Sequence, residues 1–146
     1  MNTVAILALS LPLGAPNLKD PPPKVPSIVG EWVRVGHTQA GQPVAPDKEA
    51  HRQVFKPDGE WEYYYGDHKG TPDRKTYVVD LKQSPPAIDL FSNSPRADGR
   101  RGIYKIEKDT LTVCLVNAPG ERPKTFESSA ERPTTVWVFK RVTPKD

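Results

Sequence analysis

His51-Arg52-Gln53-Val54-Phe55-Lys56-Pro57-Asp58-Gly59-Glu60-Trp61-Glu62-Tyr63-Tyr64-Tyr65 is the stretch that decides the fold. Two short runs rich in Val, Phe, Trp and Tyr flank a Pro-Asp-Gly. Asp-Gly between such runs is a strong hairpin signal, because glycine supplies the positive φ that tight turns need. Alternate residues of a strand point to one side, so Trp61, Tyr63 and Tyr65 share a face. The stretch therefore predicts an antiparallel hairpin with one aromatic side.

The same grammar extends in both directions. Residues 28–35, 51–56, 60–65, 75–81, 87–91, 101–107, 110–116 and 134–142 form short β-rich runs. Gly66, Gly70 and Pro72, then Pro85-Pro86, then Lys108-Asp109 interrupt them, and a long loop with Pro119, Gly120, Pro123 and Pro133 precedes the last. Short strands joined mostly by tight turns read as an antiparallel meander. Such a sheet has two raw edges unless it closes on itself, and about eight strands suffice for a small barrel. The expected fold is all-β, an eight-stranded antiparallel barrel. A two-sheet sandwich is the alternative.

Composition agrees. The chain has 146 residues, which suits one domain, and its 17 prolines are about twice the usual share and break long helices. Its net charge is +3, with no block of like charges, which argues against a nucleic-acid arm or a polybasic membrane patch. The single cysteine, Cys114, allows no intrachain disulfide, and its setting in Leu111–Val116 reads as an inert, buried thiol. Residues 1–15 form an apolar leader around Val4–Leu13, signal-peptide-like and too short to span a bilayer. Residues 16–26 form a proline-rich linker, and residues 27–146 the barrel domain. The leader points to secretion, or to the periplasm or cell envelope.

Gly30-Glu31-Trp32 opens the first run, and Arg141 ends the last. A Gly-x-Trp with a basic residue on the final strand is similar to the lipocalin pattern. Pro86–Leu90, Gly102–Ile106, Asp109–Cys114 and Glu121–Phe126 together resemble an uncharacterised lipocalin-like family of planctomycete-type bacteria. The resemblance covers about Ile28 to Arg141 and implies a calycin-like barrel and export. It implies no reaction. It also implies that Gly30, Trp32 and Arg141 close one barrel end, with the guanidinium packed over the indole.

No catalytic constellation stands out. His37, His51 and His68 show none of the spacings of metal ligands, and Asp67-His68 is a turn pair. No Gly-x-Ser-x-Gly occurs, and no cofactor motif is present. Asp89 alternates with Ile88 and Leu90, so it should point outward, into solvent or toward a loop. The aromatic residues are the richest set. Trp61, Tyr63, Tyr65, Tyr77, Tyr104 and Trp137 lie in predicted strands and either fill the core or line a pocket.

These features favour a monomeric, non-enzymatic binding module for a small, partly apolar ligand held in the barrel. The alternative is a filled barrel that meets protein or envelope partners through loops at Thr38–Lys48 and Asn117–Arg132. An enzyme is the third class, to be marked by a histidine or carboxylate with a perturbed pKa in a cleft.

Overall fold

A computed structural model describes residues 25–46, 50–66, 70–92 and 99–144. The leader, most of the linker, Asp67 and His68 lie outside the described residues. Among the described residues nine strands run in chain order: β1 (Gly30–Gln39), β2 (Gln42–Pro43), β3 (His51–Phe55), β4 (Glu60–Tyr65), β5 (Asp73–Asp80), β6 (Ala87–Phe91), β7 (Arg100–Glu107), β8 (Thr110–Asn117) and β9 (Thr135–Arg141). No helix occurs among the described residues.

All pairings are antiparallel, and β1 pairs with both β3 and β9. That second pairing closes β1 and β3–β9 into an eight-stranded barrel, with β2 as one extra strand beside β1. Closure settles the choice between barrel and sandwich, since it leaves the eight strands no open edge.

The deciding hairpin forms as its residues dictate. Gly59 N–H donates to the Lys56 carbonyl at 3.2 Å, and Gly59 has φ +86°. The Asp58 carboxylate accepts from Glu60 N–H at 3.0 Å, so the aspartate caps the turn. Phe55 then faces Trp61 and His51 faces Tyr65 across the ladder.

The first strand is longer than its sequence suggests. The expected run of 28–35 ended before Gly36, yet β1 continues to Gln39. A bulge between Arg34 and Gly36 carries the strand through, and it leaves Val35 58% exposed. One extra residue inverts the alternation, so Trp32 and Arg34 point inward before the bulge and His37 points inward after it, opposite Trp137. The Thr38–Lys48 stretch is correspondingly not all loop. Thr38 and Gln39 pair with Pro43 and Gln42 around a turn at Ala40-Gly41, where both residues have positive φ.

The interior divides into two halves. At one end Trp32, Phe55, Leu111 and Phe139 are wholly buried, and Ile88, Tyr104 and Val113 complete the packing. Phe55 meets Tyr77 edge-on at 5.0 Å, a pair contributing about 0.5–1.5 kcal/mol beyond its buried area. The opposite end, where β3 begins and β4 ends, is not filled by the described residues.

A strap, residues 118–134, crosses the outside of β6–β8. Ala87, Ile103 and Cys114 alternate with inward-facing neighbours and so point outward, yet they are buried. Arg122 anchors the strap. It donates to the Ile88 and Gly102 carbonyls at 3.1 and 2.8 Å and pairs with Asp89 at 2.8 Å. Asp89 thus points outward, as alternation requires, and meets a loop cation. Cys114 is buried beneath the strap rather than in the barrel core, where burial pushes its thiol pKa up.

Candidate functional site

The unfilled end of the barrel holds a cavity of about 740 Å³. Trp61, Tyr63 and Tyr65 of β4 line one wall, because alternation turns all three inward. Trp137 of β9 and Leu90 of β6 face them. Tyr65 is 66% exposed and Phe91 44% exposed, so these two rings form the mouth while Trp61 and Trp137 sit deep.

Edge-to-face contacts hold the aromatic wall. Tyr63 meets Tyr65 at 4.6 Å and Trp61 at 6.3 Å, and His51 packs on Tyr65 at 5.2 Å. The Tyr63 hydroxyl shares a hydrogen bond with His51 Nδ1. Trp61 Nε1 donates to the side-chain amide oxygen (Oε1) of Gln53 at 3.1 Å, which fixes the indole plane. These rings are therefore held in place by the protein's own contacts.

The charged side chains of the wall are of one sign. Arg34, Lys75 and Arg100 line the cavity with His51, and no carboxylate does so among the described residues. The Lys75 ammonium lies 5.4 Å from the Trp61 ring centroid and is paired with Asp73 at 2.9 Å. The Arg100 guanidinium lies 5.1 Å from the Trp137 ring centroid. Burial pulls the Arg100 pKa below its ordinary value, which marks a cation short of solvent.

Of the six aromatic residues expected at a pocket, the structure brings Trp61, Tyr63, Tyr65 and Trp137 to the cavity. Tyr77 and Tyr104 point inward as well but lie in the filled half, so they do not line it. The Tyr77 hydroxyl donates to the Lys56 carbonyl at 2.6 Å, and Tyr104 is 1% exposed. Burial raises the pKa of both phenols. Sequence reasoning missed Arg34, Lys75 and Arg100 as wall residues. His51, singled out in the sequence only for lacking a metal-ligand spacing, is 8% exposed and lines the cavity. The available signal was parity, since His51 shares its face with Gln53 and Phe55.

At the opposite end Arg141 lies 4.1 Å from the Trp32 ring centroid. It also donates to the Val29 and Ser27 carbonyls, each at 3.0 Å. Gly30 has φ +138°, and a Cβ there would sit 2.6 Å from the Arg141 guanidinium. Trp32 Nε1 donates to the Ile28 carbonyl at 2.8 Å. Together these residues plug the end away from the cavity.

Among the described residues no three or more His, Cys, Asp or Glu side chains gather as a metal site, and no helix is long and apolar enough to cross a membrane. The fold and the cavity define a small closed barrel with one plugged end and one open, aromatic-lined end. Comparison with known proteins returns no matching family model, curated protein or solved structure.

Proposed function

We propose that this chain is an exported, monomeric binding module of lipocalin-like type that takes a small, partly apolar ligand into its open end. The single observation carrying this reading is the aromatic cavity of about 740 Å³ inside a closed barrel. Ligand pockets typically measure about 300–1,000 Å³ and combine apolar walls with a few convergent polar groups. Trp61, Tyr63, Tyr65 and Trp137 supply the walls, and His51 and the cations supply the polar groups. The wall is held by its own ring contacts, so little ordering opposes binding. The other reading, a filled barrel acting through its loops, needs a solid interior, and the open end is hollow.

The test is tryptophan fluorescence of the full chain, titrated with fatty acids, retinoids, haem and aromatic acids. Trp61 and Trp137 line the cavity, so an occupant should change their emission saturably. Tyr65→Ala, which removes an exposed mouth ring, should weaken binding by about 2–10-fold. No response across the panel from a folded chain would overturn the reading.

A further inference from the structure

The cavity contains hydrogen-bond donors that the described residues leave without acceptors. Trp137 is 91% buried, being 9% exposed, and its Nε1–H meets no acceptor among the described residues. Arg100 is half-buried at the start of β7, 5.1 Å from that same indole ring. It has no hydrogen bond or carboxylate partner among the described residues, and no carboxylate lines the cavity there. Arg100 therefore differs from Lys75, which Asp73 neutralises at 2.9 Å. It differs equally from Arg122, which Asp89 neutralises at 2.8 Å.

Such an arrangement is costly in an empty protein. A cation withdrawn from water is stabilised by a counter-charge and is expensive without one. An indole N–H buried without an acceptor adds its own desolvation penalty. Both penalties disappear if the occupant brings an acceptor that carries negative charge. One unpaired guanidinium matches a monoanion, and its planar fork suits the two oxygens of a carboxylate. Beyond that point the wall is aromatic, formed by Trp61, Tyr63 and Tyr65.

We infer that the ligand is an amphipathic carboxylic acid, its carboxylate held by the Arg100 guanidinium and the Trp137 Nε1–H, and its apolar body against the β4 aromatic wall. This inference rests on the binding function proposed above and names the ligand class for that site. The acid is distinguished from its neutral analogues by the charge on Arg100, not by the shape of the cavity.

The experiment compares matched acids and primary amides by isothermal titration calorimetry: decanoate with decanamide, and 4-phenylbutyrate with 4-phenylbutyramide. Each pair shares its apolar body and differs in charge at the head. In the native chain the acid should bind about tenfold or more tightly than the amide, as charge-assisted hydrogen bonds require. Arg100→Met should close that gap by weakening the acid while leaving the amide unchanged. Arg100→Lys keeps the charge without the fork and should retain part of it. The Met variant removes an unpaired cation, so its thermal midpoint should equal or exceed the native one, and loss of folding is not its expected effect. Equal affinities for acid and amide, or a gap that survives Arg100→Met, would overturn the inference and leave the cavity reading standing. If neither member of either pair binds to the folded chain, both the inference and the binding function fall.

Discussion

Arg141 and Trp32 are direct partners across the seam that closes the barrel, with the guanidinium 4.1 Å from the indole ring centroid. The contact joins the first and last strands at the plugged end. It sets one residue from each end of the domain against the other, and two backbone carbonyls, of Val29 and Ser27, hold the arginine in place. Gly30 makes room for it, because no side chain fits between the β1 backbone and the guanidinium.

Two substitutions test this seam. Arg141→Met keeps the stem but loses the cation over the ring and both carbonyl bonds, and should cost about 1–3 kcal/mol. Gly30→Ala forces a Cβ onto the guanidinium at a φ that L-residues avoid, and should cost about as much. Urea unfolding followed by tryptophan emission measures both. Native midpoints in the two variants would show that the plug does not secure the seam.

The strap gives a second expectation. Arg122 is the residue that ties it to β6 and β7, through two carbonyls and Asp89. Arg122→Met should cost about 1–2 kcal/mol, because each partner is only partly shielded from water. It should also expose residues 118–134 to limited proteolysis while the barrel persists. A variant as protease-resistant as the native chain would show that Arg122 is not the anchor.

Cys114 reports on the same strap. Its thiol is fully buried and its pKa is raised, so the reactive thiolate is suppressed twice over. A disulfide reagent should react with the native chain only as fast as it unfolds, and Arg122→Met should accelerate the reaction. Rapid native labelling would contradict the placement of Cys114 under the strap.

The outer face of β4 predicts an acid sensitivity. Glu62 accepts from Lys56 at 2.6 Å and from the Tyr64 hydroxyl at 2.7 Å. These bonds, the Lys56 contact foremost, hold its carboxyl below the ordinary value of 4.5. A depressed folded pKa stabilises the fold above the unfolded pKa, and that stability is lost as pH falls through the folded value. Glu62→Gln should therefore flatten the decline in unfolding free energy as pH falls below the ordinary carboxyl value of 4.5. An unchanged slope would assign the acid sensitivity elsewhere.

The barrel was legible in the sequence because its signals are local. The Asp58-Gly59 turn, the alternation of Trp61, Tyr63 and Tyr65, and the punctuation between runs each specify neighbouring residues. Parity set Trp61, Tyr63 and Tyr65 on one face but did not say whether that face fills the core or lines a pocket, nor that Trp137 stands across from it. Other features depend on partners distant in the chain. The bulge at Val35 inverts the alternation of β1, and no residue type announces it. Tyr77 and Tyr104 obey the parity rule, yet depth along the barrel axis, which parity does not encode, sets them below the cavity. Arg100 starts a strand among other charged residues, and only the three-dimensional fold shows that it faces Trp137 with no counter-charge among the described residues.

The most direct test is a titration followed through the three indole N–H resonances in a proton–nitrogen correlation spectrum, with decanoate as the probe. Trp61 and Trp137 line the cavity, whereas Trp32 is sealed under Arg141 at the far end and serves as the internal control. The account predicts that the Trp61 and Trp137 signals move saturably, with Trp137 moving most, while Trp32 stays fixed. Three unmoved signals, or three moving together, would contradict a binding site at the open end of the barrel.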